Sequence, residues 1–182
     1  GIHLDNGDYN LIEGNLITNH QGAIAGYGIL LTDSRNNTIA GNTVSGNLCN
    51  VRLASSGLRS CRRNTIQGNT LLDPISSSVE VSSDAGTTNV NFNVFRRSGA
   101  SDLYIRNVTP VVVNAQYNWF GGENPPQASH FFGAVDYQNY YSTNTTVFIY
   151  PTIHYMPQGA TVDVLVQGLV PQGTQVRGTT IT

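Results

Sequence analysis

The sequence predicts an all-β fold, a parallel solenoid of about five to six coils with a short C-terminal strand appendage. Three observations predict it. The phrase Asn-x-Ile-x-Gly-Asn recurs at Asn10–Asn15, Asn37–Asn42 and Asn64–Asn69, with starts 27 residues apart (10, 37, 64). A fixed period of that size marks a repeat architecture. Ahead of each phrase lies a stretch with apolar residues two apart, which is strand spacing. No segment carries apolar residues at helical spacing over three turns, so almost no helix is expected.

The first strand of each unit supplies an inward pair: Ile2/Leu4, Ile29/Leu31, Val51/Leu53, Val79/Val81 and Leu103/Ile105. Short parallel strands at one period can be joined by winding the chain, each coil pairing with the next at about 4.8 Å. Equivalent side chains then stack in rows. The second Asn of each phrase makes one row, Asn15, Asn42, Asn69, Asn93 and Asn118, in which each amide can bond the next. Beside it the core continues through Ile17, Val44, Leu71, Phe95 and Phe120.

Unit three is longer between its first strand and its Asn phrase, and the excess holds Ser55-Ser56-Gly57. Cys49 and Cys61 flank it. A disulfide across the loop base would suit an oxidising compartment; two buried thiols are the alternative. Residues 121–147 read as a terminal cap and loop, rich in Gly, Pro, Asn and Tyr. Residues 1–145 are therefore one helical domain. Residues 146–182 read as strands broken at Pro157-Gln158-Gly159 and Pro171-Gln172-Gly173. Three strands are too few for a sandwich. They are expected to pack on the coil, start a further module, or be donated to a neighbour by strand addition.

Gly-Ile-x-Leu followed by Asn-x-Ile-x-Gly-Asn resembles the parallel β-helix repeat of the NosD-like and carbohydrate-binding/sugar-hydrolase families, and the coils of pectate-lyase-like proteins. The resemblance covers roughly residues 1–120. Tyr117-Asn118-Trp119-Phe120-Gly121-Gly122, Pro125-Pro126 and Gly133-Ala134-Val135 more loosely resemble the ending of such domains. It implies a right-handed helix, secreted or on a surface, and no single function.

Composition excludes several classes. Charged residues are 11% with net charge −2, so no nucleic-acid partner is expected. All nine basic residues are arginines, which excludes Schiff-base chemistry. No apolar run has the length of a membrane span. No segment reads as a signal peptide. The first coil opens on an apolar strand, over which upstream residues or another molecule are expected to stack. His3, His20, His130 and His154 have no ligand spacing, so no metal site is expected.

Candidate chemistry falls in three groups. Stacking brings Asp33 near Asp5 and Asp8, a candidate calcium cluster; the alternative is that each Asp, like Asp84, serves its own turn. Arg52 and Arg97 are expected to form ion pairs with Glu80 and Asp73, whereas Arg62 and Arg63 are left as candidates for gripping an anionic glycan or an interface. Among the late aromatics, Trp119 and Tyr104 are candidate contacts with glycan or protein, and Tyr137 and Phe132 are expected to cap the core. Glycosylation sequons stand at Asn36, Asn107 and Asn144, with Asn144 and Asn36 the better placed. The function expected is a non-catalytic extracellular structural or adhesive module, part of a surface protein or stacking with itself or neighbouring domains. The alternative is a polysaccharide-binding or polysaccharide-active protein, lyase- or hydrolase-like, with clustered acids on one face.

Overall fold

A computed structural model describes residues 1–22, 25–57, 59–82 and 88–142. The first coil holds β1 (Ile2–Asp5), β2 (Leu11–Glu13) and β3 (Leu16–Thr18). The second holds β4 (Tyr27–Thr32), β5 (Thr38–Ala40) and β6 (Thr43–Ser45), and the third β7 (Cys49–Ala54), β8 (Thr65–Gln67) and β9 (Thr70–Leu72). The fourth holds β10 (Ser77–Val81), β11 (Asn89–Asn91) and β12 (Val94–Arg96). The fifth holds β13 (Leu103–Asn107), β14 (Val113–Asn114) and β15 (Trp119–Phe120).

The first strands of all coils pair in parallel into one sheet, the second strands into another and the third strands into a third. These form the three walls of the coil. The expected cap is in fact a sixth coil. A 3-10 turn at Ala128–His130 leads into β16 (Phe131–Phe132), which joins the first wall, and β17 (Val135–Asp136), which joins the second. Tyr141 then bridges Trp119 on the third wall. That turn is the only helical element among the described residues. The strands read in 146–182 lie outside the described residues, as do Asp84 and Asn144.

The interior is made of stacked rows. On the first wall, Ile2, Ile29, Val51, Val79 and Ile105 are in register. On the third wall, Ile17, Val44, Leu71, Phe95 and Phe120 are in register, as the repeat predicts. Most of these side chains are shielded from water, each contributing about 1.5–3 kcal/mol by burial.

Coil five departs from the predicted pattern. The neighbour of Val81 is Asn107, and Leu103 pairs with Ser77. Leu103 is thus only half-buried, and Tyr104 occupies the core in its stead. The row at the second residue of β4, β7, β10 and β13 runs Gly28, Asn50, Ser78 and Tyr104, and His130 continues it just ahead of β16. At Gly28 an added Cβ would lie 2.6 Å from Val44 and 2.7 Å from the Asn50 carbonyl oxygen. In coil five the same row holds the buried Tyr104 ring.

Candidate functional site

The row of amides is continuous. The backbone N–H and Nδ2 of Asn15 both donate to Asn42 Oδ1, at 2.9 Å. Asn42 donates likewise to Asn69, Asn69 to Asn93 and Asn93 to Asn118, at 2.7–3.1 Å. Asn42, Asn69, Asn93 and Asn118 are buried. The residue before each of the five ladder asparagines adopts a left-handed backbone: Gly14, Gly41, Gly68, Phe92 and Tyr117, with φ of 58–67°.

The three aspartates of the calcium reading do not gather. Among the described residues no three acidic, His or Cys side chains converge on one point. Asp33 is buried, and its carboxylate is occupied by the inserted loop. It accepts from the Ser55 hydroxyl (2.9 Å), from the Ser56 hydroxyl, and from the N–H groups of Ser56 (3.1 Å) and Arg59 (3.3 Å). The Ser56 hydroxyl bond, with the bonds from Ser55 and the backbone, holds its carboxyl below the usual range despite desolvation. Asp8 instead pairs with Arg59 at 2.6 Å, and that bond lowers its pKa. Asp5 accepts from Asn6. Asp8 and Asp33 thus fasten the long loop onto neighbouring coils, through partners 22 to 51 positions away, and do not simply serve their own turns.

The expected disulfide is absent: Cys49 and Cys61 are buried thiols. Cys49 begins β7, while Cys61 donates to the Leu31 carbonyl near the strand's other end. Six residues of strand separate those ends by about 16 Å, far beyond the Cα spacing of about 7 Å that a disulfide tolerates. Burial pushes the Cys49 thiol up to about 12 and raises that of Cys61 too.

The arginines are mostly engaged. Glu80 receives Arg52 at 3.2 Å and Arg106 at 3.1 Å. Arg52 also lies over the Tyr27 ring and Arg106 over that of Phe132. Phe132 is therefore an outward residue, 52% exposed, and does not cap the core. Tyr137 does pack on the core end, stacked on Phe131 at 4.0 Å. Asp73 is held by Arg96 at 2.7 Å, in place of the expected Arg97. Arg62 is half-buried with its Nε unpartnered, and Arg63 is exposed on a left-handed backbone.

Arg97 turns inward to a network that the sequence did not disclose. Its guanidinium lies 3.2 Å from Glu123 Oε1 and 2.8 Å from His130 Nε2. An arginine only donates, so Nε2 accepts and His130 Nδ1 donates to Glu123 Oε2 at 2.9 Å. Tyr104 donates to the Phe120 carbonyl at 3.0 Å, lies 3.2 Å from Glu123, and is pushed up to about 12 by burial. Desolvation raises the Glu123 carboxyl, but Gln127 N–H, His130 and Arg97 outweigh it and the net shift is downward. Tyr104, at 2% exposure, is thus a core residue and not a contact surface. Trp119 does face outward but is half-buried, with its Nε1 enclosed and unpartnered.

Of the sequons, Asn107 is buried and bonded to the Val111 and Ala134 carbonyls, while Asn36 is half-exposed on a turn. One exposed feature also went unread. Phe92 and Tyr117 stack on one another at 5.6 Å, at turn positions that earlier coils give to glycine. Aligning the residues before each ladder Asn would have exposed that exchange.

Residues 1–116 match the profile of the family described as right handed beta helix region. No curated protein and no solved structure matches the chain.

Proposed function

For this chain, which belongs to the right-handed β-helix family, we propose the role of a non-catalytic structural module of an extracellular or surface protein, a rigid stack that carries its side faces toward neighbours. One observation carries this reading: most of the carboxylates among the described residues are spent on the fold. Asp8, Asp33, Asp73, Glu80 and Glu123 each hold an arginine or a loop in place. A hydrolase or lyase needs acids poised near one another with room for substrate and water. Arg52, Arg96 and Arg106 are likewise tied to acids, which weakens the reading of an anionic-polysaccharide enzyme.

The test is a screen of the full chain against uronic-acid polymers, following unsaturated-product absorbance and reducing ends. No turnover is expected. Turnover that disappears in Asp33→Ala would overturn the reading. Light scattering of the same preparation then distinguishes a lone module from one that associates with itself.

A further inference from the structure

Two left-handed turn rows border the second wall. One edge carries Tyr9, Asn36 and Arg63, and the other carries glycines that give way to Phe92 and Tyr117. Each row is stacked coil on coil by backbone bonds, as from Asn36 N–H to the Arg62 carbonyl (3.2 Å) and from Phe92 N–H to the Tyr117 carbonyl (3.0 Å). Glycine takes such a backbone without penalty, and Asn tolerates it. Arg63, Phe92 and Tyr117 hold it with φ of 56–59°, at a cost that burial does not offset. Arg63 is exposed, and Phe92 and Tyr117 are 40% and 36% exposed. Backbone strain that persists in a structure points toward function. The Phe92 and Tyr117 rings stack with 10° between their planes, so they form one aromatic step at their edge.

Charge is divided between the same two edges. Arg63 makes no ion pair among the described residues. Across the wall, Gln116 precedes Tyr117 and donates to Asp136. The Asp136 carboxylate also accepts the Gln138 N–H, and it meets no cation among the described residues. Between these corners the second-wall strands of coils two to five carry no charged residue. We propose that the second wall is a docking surface for a second copy of this chain, with Arg63 of one copy set against the Tyr117–Asp136 corner of the other. A guanidinium suits both a ring face and a carboxylate. The complementary features lie on a diagonal, in coil three at one edge and in coils four to six at the other. A twofold axis in the plane of the face, across that diagonal, brings both Arg63 side chains to their complements at once, as an isologous pair requires. Five coils at about 4.8 Å, by five residues at about 3.3 Å, give a face of roughly 400 Å². That is about half of what a standard interface buries per partner, so the pairing is weak and concentration-dependent. The proposal rests on the reading of side faces turned toward neighbours and names the neighbour. It fails separately, because a monomer can still be a non-catalytic module and a chain with turnover can still pair.

The experiment is sedimentation of the full chain at low ionic strength, up to about 1 mM, where weak transient pairs form. A dimer is expected that grows with concentration and fades as salt rises. Arg63→Glu and Asp136→Arg, each alone, set like charges together and are expected to weaken pairing at least about tenfold. Arg63→Glu/Asp136→Arg is expected to restore it to within about threefold of the parent. Tyr117→Gly, which installs the residue of the earlier coils, is expected to weaken pairing while the thermal unfolding midpoint is kept or raised. Phe132→Ala, on the first wall, is expected to pair as the parent does. A monomer at every concentration would overturn the proposal and mean that these corners face a different partner. So would a dimer that neither charge reversal nor Tyr117→Gly weakens, a folded double reversal that stays monomeric, or association that runs on beyond the dimer.

Discussion

Two rows of asparagine run up this helix, and only one reaches the fifth coil. The row between the second and third walls passes from Asn15 through Asn42, Asn69 and Asn93 to Asn118 without a break. The row between the first and second walls starts in the same way. Asn10 donates twice to Asn37 Oδ1 (2.8 and 3.2 Å), and Asn37 twice to Asn64 Oδ1 (2.9 and 3.1 Å). The next position is Thr88, whose buried hydroxyl has no partner, and then Val113. The difference lies in the turns. Between β2 and β3, β5 and β6, β8 and β9, and β11 and β12 the connection is always two residues. Between the first and second strands it changes, and the inserted 55–60 segment precedes Asn64. Yet the first row crosses the inserted segment intact, with Asn37 bonded to Asn64, and stops where threonine takes the next position at Thr88, since a ladder needs an amide at the same point in every coil. Changes of period are absorbed at the other corners, so the shorter fourth repeat leaves the second row intact.

The comparison is broken most severely at the centre of the continuous row. Asn69→Ala would strand the buried Asn42 N–H, and it would remove the Asn69 amide bonds to Ile39 O, Gln67 O and Asn93 Oδ1. Each unmade buried bond costs about 1–3 kcal/mol, so a loss of about 4 kcal/mol is expected in urea unfolding. Asn64→Ala tests the row that ends. It strands the Asn37 N–H and leaves the Ser34 carbonyl without its amide donor, but no ladder above it depends on Asn64. A loss of about 2 kcal/mol is expected. Equal losses for the two substitutions would mean that continuity contributes nothing beyond the individual bonds.

These rows also show where sequence reading works. The core rows and the long ladder repeat one residue type at one turn length, so periodicity reveals them directly. Coil five misleads, because the run Leu103–Ile105 alternates as the other first strands do, while its register sets Leu103 against Ser77 and Tyr104 is the buried residue. The Arg97–Glu123–His130 network joins residues 26 and 33 positions apart across two irregular corners. No local spacing marks it. The cysteines mislead for a related reason: they flank a loop in sequence but stand at opposite ends of a strand. The strained Phe92 and Tyr117 were legible in principle, as exceptions within a glycine column.

A smaller effect sharpens the comparison at its breaking point. Thr88→Val keeps the shape and removes the hydroxyl that finds no partner where the first row stops. A gain of about 1 kcal/mol is expected, with slower amide hydrogen exchange in β8 and β11. A loss would mean that the Thr88 hydroxyl is satisfied by water.

The smallest effect concerns the inserted loop ahead of Asn64. Asp33 binds this loop as a carboxylate, and its native pKa lies below the ordinary 3.8. A depressed carboxyl stabilises the native form at pH values above the unfolded pKa, and that contribution fades as pH falls through the native one. Between neutral pH and about pH 5 the Ser55, Ser56 and Arg59 tie should hold without change. On acidification below about 3.8 the loop should loosen before the coils separate. Amide exchange at Ser56 and Arg59 would then accelerate while Asn42 and Asn69 stay protected. In Asp33→Asn the acid-dependent step should shrink to the part that Asp8 carries through Arg59, and in Asp8→Asn/Asp33→Asn it should vanish, since neither amide can titrate. Simultaneous loss of protection at Ser56 and Asn69 would show instead that the loop and ladder unfold as one unit.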